Sequence, residues 1–193
     1  MVFAKRTACC AKAGYTLVEV LVVVSIMGIL SAMGVAGLQG AIANARVKDA
    51  AVNTAAFVER VANESNKLSA VLCMKVPDGN HQKIYVVRDN QKKDCTTPSD
   101  GIIDSLVLDA PNQFVSMAVC GPVTQNWFTS YGVFKPRLGI AATPPEGGVC
   151  IRYGTKNVFG AVRKDSKKNW VIPMWKVNHD GSKDSDWSNW IEL

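Results

Sequence analysis

Between Glu19 and Arg46 the chain carries no charged residue, and this stretch constrains the fold more than any other. Its first part, Val20 to Gly37 (VLVVVSIMGILSAMGVAG), is apolar but for Ser25 and Ser31. As a helix it is long enough to cross a bilayer core of about 30 Å. Glu19 stands at the head of this run. A carboxylate inside a membrane helix costs about 2.5–3.5 kcal/mol on insertion scales, so it calls for a partner or a function. The residues ahead of it are short and basic (Lys5, Arg6 and Lys12, with no acid). The positive-inside rule keeps them cytoplasmic and exports everything after the span.

Two ordinary readings compete. A secretory signal peptide also has a basic start and an apolar core, and Ala41-Ile42-Ala43 offers a small-residue cut site. The apolar run is longer than such a core and opens on a glutamate, which argues against it. A plain single-pass anchor accounts for the length but not for Glu19, nor for a glycine set directly before an aromatic residue.

The junction Gly14-Tyr15-Thr16-Leu17-Val18-Glu19 resembles the prepilin cleavage site of type IV pilins and of the pseudopilins of type II secretion systems. The match comprises the basic leader, Gly14 before the cut, Tyr15 as the new N-terminus and Glu19 as the fifth residue after it. Gly28-Ile29-Leu30 and Gln39 are similar to further positions of that family. Ala36 departs from it, because many members carry a helix-kinking proline there. Gly34, Gly37 and Gly40 surround Ala36 and can supply the weak point instead.

The resemblance implies an α+β, pilin-like fold, a long N-terminal helix packed on a small antiparallel β-sheet. Residues 1–14 are then a cleaved leader, 15–37 a transmembrane and filament-core helix, 38–72 its amphipathic continuation, and 73–193 an exported β-rich domain. It also implies cleavage after Gly14 by a prepilin peptidase and N-methylation of Tyr15. Assembly would run through an inner-membrane platform into a filament of like subunits. Glu19 would pair with the N-terminal amine of a neighbouring subunit.

Composition agrees with an exported filament subunit. Loss of the leader removes Lys5, Arg6 and Lys12, lowering the net charge from +6 to +3. That balance is no argument for a nucleic-acid or membrane-surface partner. The 193 residues less 14 leave 179, enough for one long helix and a globular domain with a modest core. Cys9 and Cys10 depart with the leader, and Cys73, Cys95, Cys120 and Cys150 remain on the exported side. An even number there points to two disulfides, with three possible pairings. Sequence proximity favours Cys73–Cys95 and Cys120–Cys150, and buried thiols are the alternative.

Residues 38–72 contain no proline and many alanines, which favours a continued helix. Val47, Ala51, Thr54, Val58, Val61, Leu68 and Leu72 fall mostly at three- and four-residue steps, an apolar face. Helix from Tyr15 to Leu72 would be roughly 87 Å long. Lys83–Arg88, Ile103–Leu108, Phe114–Cys120, Val149–Tyr153, Val158–Val162 and Trp170–Val177 read as strands. Pro144, Pro145, Gly147 and Gly148 mark an irregular loop, and the basic stretch 163–169 a solvated hairpin tip.

Near the C-terminus, Asp180, Asp184 and Asp186 crowd into seven residues that include Gly181. Closely spaced aspartates and the carbonyls of a glycine-containing turn can supply the oxygens calcium requires. The segment also resembles the C-terminal loop of major pseudopilins, and that resemblance implies these three aspartates as calcium ligands. Lys183 intrudes on that pattern, and a plain aspartate-rich surface turn is the competing reading.

Nothing in the chain has the spacing of a catalytic motif: His-Glu-x-x-His, Gly-x-Ser-x-Gly and a phosphate-binding Gly-Lys-Ser/Thr are all missing from the sequence. His179 reads as a polar loop residue rather than a metal ligand. The five tryptophans read mainly as packing, with a carbohydrate platform as the alternative. The function expected is a structural subunit of a type IV pilus or secretion pseudopilus. The alternative is a minor or tip pilin whose globular domain binds DNA or a surface ligand. A membrane-anchored exported enzyme is the third and weakest reading.

Overall fold

A computed structural model describes residues 14–90, 95–96, 101–122, 125–136, 146–164, 170–177, 179–181 and 184–193. The leader residues 1–13, Pro144, Pro145, Lys183 and most of the basic hairpin tip lie outside the described residues. The chain divides into two compact units, Met1–Gly40 and Ala41–Leu193.

One long helix, α1, runs from Leu17 to Leu68 among the described residues. Within the second unit it buries Val47, Ala51, Thr54, Val58 and Val61, part of the face its periodicity predicts, and Ala43 as well. Thr54 sits in this apolar face because its hydroxyl donates to the Ala50 carbonyl, 2.7 Å away. Helix to Leu72 is not what the structure has. The Ser69 amide donates to the Asn66 carbonyl and the Ala70 amide to the Ser65 carbonyl, each at 3.2 Å, with Ser69 at φ 49°. This is the paired closure of a Schellman motif, and it ends α1 at Leu68. The Ser65 hydroxyl donates to the carbonyls of Ala70 and Phe134, tying the helix end to a strand. Leu72 is buried, but in the strand that follows, and Leu68 is 39% exposed.

That strand, β1 (Val71–Lys75), pairs with β2 (Lys83–Asp89) and β5 (Gly132–Phe134), and β2 pairs with β3 (Ile102–Val107). The result is a four-stranded antiparallel sheet in the order β3-β2-β1-β5. A second sheet of five strands has the order β4-β6-β7-β8-β9: β4 (Asn112–Val115), β6 (Gly147–Tyr153), β7 (Val158–Lys164), β8 (Ile172–Val177) and β9 (Ile191–Glu192). Both sheets close on the second part of α1. Ala51, Val58 and Val61 share one core cluster with Leu72, Ile84, Phe134, Phe114 and Ile151. The helix lies close against Gly160 of β7. A Cβ there would stand 3.0 Å from Val47 Cγ1 and 3.3 Å from Ala51 Cβ.

The stretch Phe114–Cys120 is not one strand. β4 stops at Val115 and a 3-10 turn covers Met117–Val119. The Ser116 hydroxyl accepts the Ala118 amide and Asn126 Oδ1 accepts the Met117 amide at 3.2 Å, taking donors a ladder would have used. Disulfides join Cys73 to Cys95, and Cys120 at the end of this turn to Cys150 of β6. Their Cα atoms are 5.7 and 6.1 Å apart.

Candidate functional site

Gly14, Tyr15 and Thr16 precede α1 without regular structure, and all three are exposed. Among the described residues, none beyond its chain neighbours comes within 4 Å of a Cβ placed on Gly14. Tyr15 itself is 82% exposed.

Thr16 is the N-cap. Its hydroxyl oxygen accepts the Glu19 backbone amide at 3.2 Å, satisfying one of the donors every helix start leaves open. The sequence signal for it, Thr-x-x-Glu, is that of a capping box. The cap fixes Glu19 in the first helical turn, where its negative charge also meets the positive end of the helix dipole. Gly14, Tyr15 and Glu19 are thus brought together at one helix start.

Beyond Glu19 the helix shows apolar side chains on every side. Leu21, Val24, Met27, Ile29, Leu30 and Met33 are each more than half exposed. This helix is long and apolar enough to cross a membrane, and its most apolar window has no buried residue. Such a surface needs lipid or other apolar helices to cover it. Ser25, a polar residue in the run, returns its hydroxyl proton to the Leu21 carbonyl at 2.8 Å.

The C-terminal aspartates lie elsewhere, in the second unit. Asp184 Oδ2 accepts from Lys176 Nζ and from Trp190 Nε1, each at 2.7 Å. Burial raises the Asp184 carboxyl pKa, and the hydrogen bonds from Lys176 and Trp190, with the Lys176 charge, outweigh that and hold it below the ordinary value. Asp186 Oδ1 accepts the Ser188 hydroxyl and, at 2.9 Å, the Ser188 amide; these bonds lower its carboxyl pKa too. The Asp180 side chain is 75% exposed, with Oδ1 3.6 Å from His179 Nδ1. Among the described residues, the carboxylates of Asp180, Asp184 and Asp186 do not all fall within 4.8 Å of one another. Cys73, Asp89 and Cys95 do, but the two sulfurs are bonded to each other.

His179 is a core residue rather than a loop polar group. It is 1% exposed, and Nε2 carries its proton toward the Val119 carbonyl at 2.7 Å. Its ring meets Phe159 and Trp190 edge-on at 4.9 and 5.6 Å, and Trp190 meets Trp187 at 5.3 Å. Trp127 and Trp190 are buried, and Lys48 of α1 stands 3.9 Å from the Trp175 ring centroid. Trp170 is 54% exposed. The sequence reading missed Thr16, which the capping pattern could have revealed. It also missed Lys176, for which no local pattern existed.

A capped helix with an uncharged, membrane-length stretch behind Gly14 and Tyr15, followed by antiparallel sheets, is a pilin-like α+β arrangement. Residues 9–35 match the family described as the prokaryotic N-terminal methylation motif, the signature of type IV pilins and pseudopilins. No curated protein and no solved structure gave a significant match to the chain.

Proposed function

We propose that this chain is a structural, non-enzymatic subunit of a type IV pilus or a type II secretion pseudopilus. A prepilin peptidase cuts it after Gly14, and the new amine of Tyr15 is methylated. Before assembly it sits in the inner membrane as a single pass, N-terminus inside, with its folded domain outside. An assembly platform then draws it into a filament of like subunits. The observation that carries this reading is the methylation motif at residues 9–35, which spans the Gly14–Tyr15 bond and the start of the exposed apolar helix.

The chemistry of Glu19 supports the assembly step. In hydrocarbon an amine and a carboxylate attract strongly and each offsets the other's desolvation. Glu19 held in the first turn, with a neighbour's Tyr15 amine as partner, gives the helices a register, because a misplaced subunit leaves a charge unpaired. The apolar surfaces that lipid covers before assembly are then covered by other copies of the same helix.

The test is Gly14→Val. Gly14 belongs to the first unit and, among the described residues, none beyond its chain neighbours crowds it, so this change acts on recognition by the peptidase and leaves the folded domain unaltered. An unprocessed precursor mass is the expected result, and normal processing would sink the assignment.

A further inference from the structure

The C-terminal segment holds a cation of its own. β8 and β9 pair Met174 with Glu192 and Trp175 with Ile191, and one further step of that register sets Trp190 opposite Lys176. Both side chains turn to the same carboxylate. Lys176 Nζ and Trp190 Nε1 each donate to Asp184 Oδ2 at 2.7 Å. The two charged side chains are largely buried, 18% and 22% exposed. Trp190 in turn is wedged among His179 and Trp187, with the Lys176 ammonium 6.0 Å from its ring centroid. Lys176, Asp184 and Trp190 therefore clamp the segment onto the edge of the five-stranded sheet.

This arrangement does not fit a calcium ion. Calcium gathers about 6–8 oxygens at 2.3–2.6 Å, several of them carboxylate. At Asp184 the approach to Oδ2 is taken by an ammonium, which would repel a divalent ion a few ångströms away. Asp186 spends an oxygen on two bonds from Ser188, and the three carboxylates do not converge. We propose that the Lys176 ammonium is the cation that closes the C-terminal loop, and that this loop takes no calcium ion. Closure is then set when the chain folds, so the subunit keeps the end of its domain in place at any calcium level outside the cell. The inference holds for a pilus and a pseudopilus subunit alike.

The full processed chain in detergent micelles serves as the test, purified in calcium-containing buffer and then gel-filtered. Elemental analysis is expected to find no retained calcium, and the melting temperature to be the same in calcium and in EDTA. Lys176→Met, which keeps the stem and removes the charge, is expected to lower the melting temperature by about 5 °C and to speed protease cleavage in the loop. Stoichiometric calcium in the wild type, or a fall in its melting temperature in EDTA, would overturn the proposal. Melting and proteolysis of Lys176→Met indistinguishable from wild type would overturn it as well. Should that variant fail to fold, the wild-type measurements decide alone.

Discussion

The two disulfides carry a large share of the globular domain's stability, and their loss can be put in numbers. Cys73–Cys95 closes a separation of 22 residues and Cys120–Cys150 one of 30. By the loop-entropy relation these constrain the unfolded chain by about 3.4 and 3.6 kcal/mol at 25 °C. Together that is about 7 kcal/mol, set against total stabilities of roughly 5–15 kcal/mol for a domain. All four cysteines are buried, so Cys→Ala changes little surface chemistry and reports mainly on the crosslink. Urea titration of the full chain in detergent, with and without reductant, reads the effect through the fluorescence of buried Trp127 and Trp190. Each Cys→Ala pair is expected to lower the midpoint by roughly 2 M urea. Full reduction is expected to leave the domain near unfolding in plain buffer. A midpoint that does not move once the thiols are shown to be free would refute the reasoning. The same dependence favours an oxidising compartment for the domain.

Gly160→Val forces a side chain against Val47 and Ala51, and overpacking of this kind costs roughly 1–3 kcal/mol; thermal melting should show it, while Gly101→Ala, in open space, should leave melting unchanged. The Lys176–Asp184 pair gives an acid limb. Because the folded Asp184 pKa lies below its ordinary value near 3.8, this stabilisation is present above that value and lost as pH falls through the folded one. Asp184→Asn should flatten that limb below about pH 3.8, and an unchanged acid profile would remove the pair's role. Glu19→Ala should be processed normally yet yield far fewer filaments, and wild-type filament yield would end the pairing account.

Most of the architecture was legible where periodicity is strong. The apolar run forms the exposed first part of α1, and the face from Val47 to Val61 and most of β2 bury what their pattern requires. Boundaries failed where a local hydrogen bond decides. Ser69 adopts the left-handed conformation that usually marks glycine, so the end of α1 carried no visible stop. Ser116 and Asn126 turn an apolar stretch out of a strand and into a 3-10 turn by taking its amides. β5 and β9, of three and two residues, are too short for any alternation to show. At the N-terminal site the glycine, aromatic and glutamate could be read directly, because they lie within six consecutive residues. The C-terminal loop could not be, since Lys176 meets Asp184 only through the pairing of β8 with β9. His179 was misread for the same reason, its burial being fixed by Phe159, Val119 and Trp190 from distant segments.

Intact-mass analysis of this protein, from sheared surface filaments and from inner membrane, bears most directly on whether it is a processed filament subunit. The expected species in either fraction is Tyr15–Leu193 carrying one added methyl group. Found in the filaments it marks a pilus subunit, and confined to the membrane it marks a pseudopilin or a scarce minor pilin. The uncut 193-residue chain in both fractions would contradict the account.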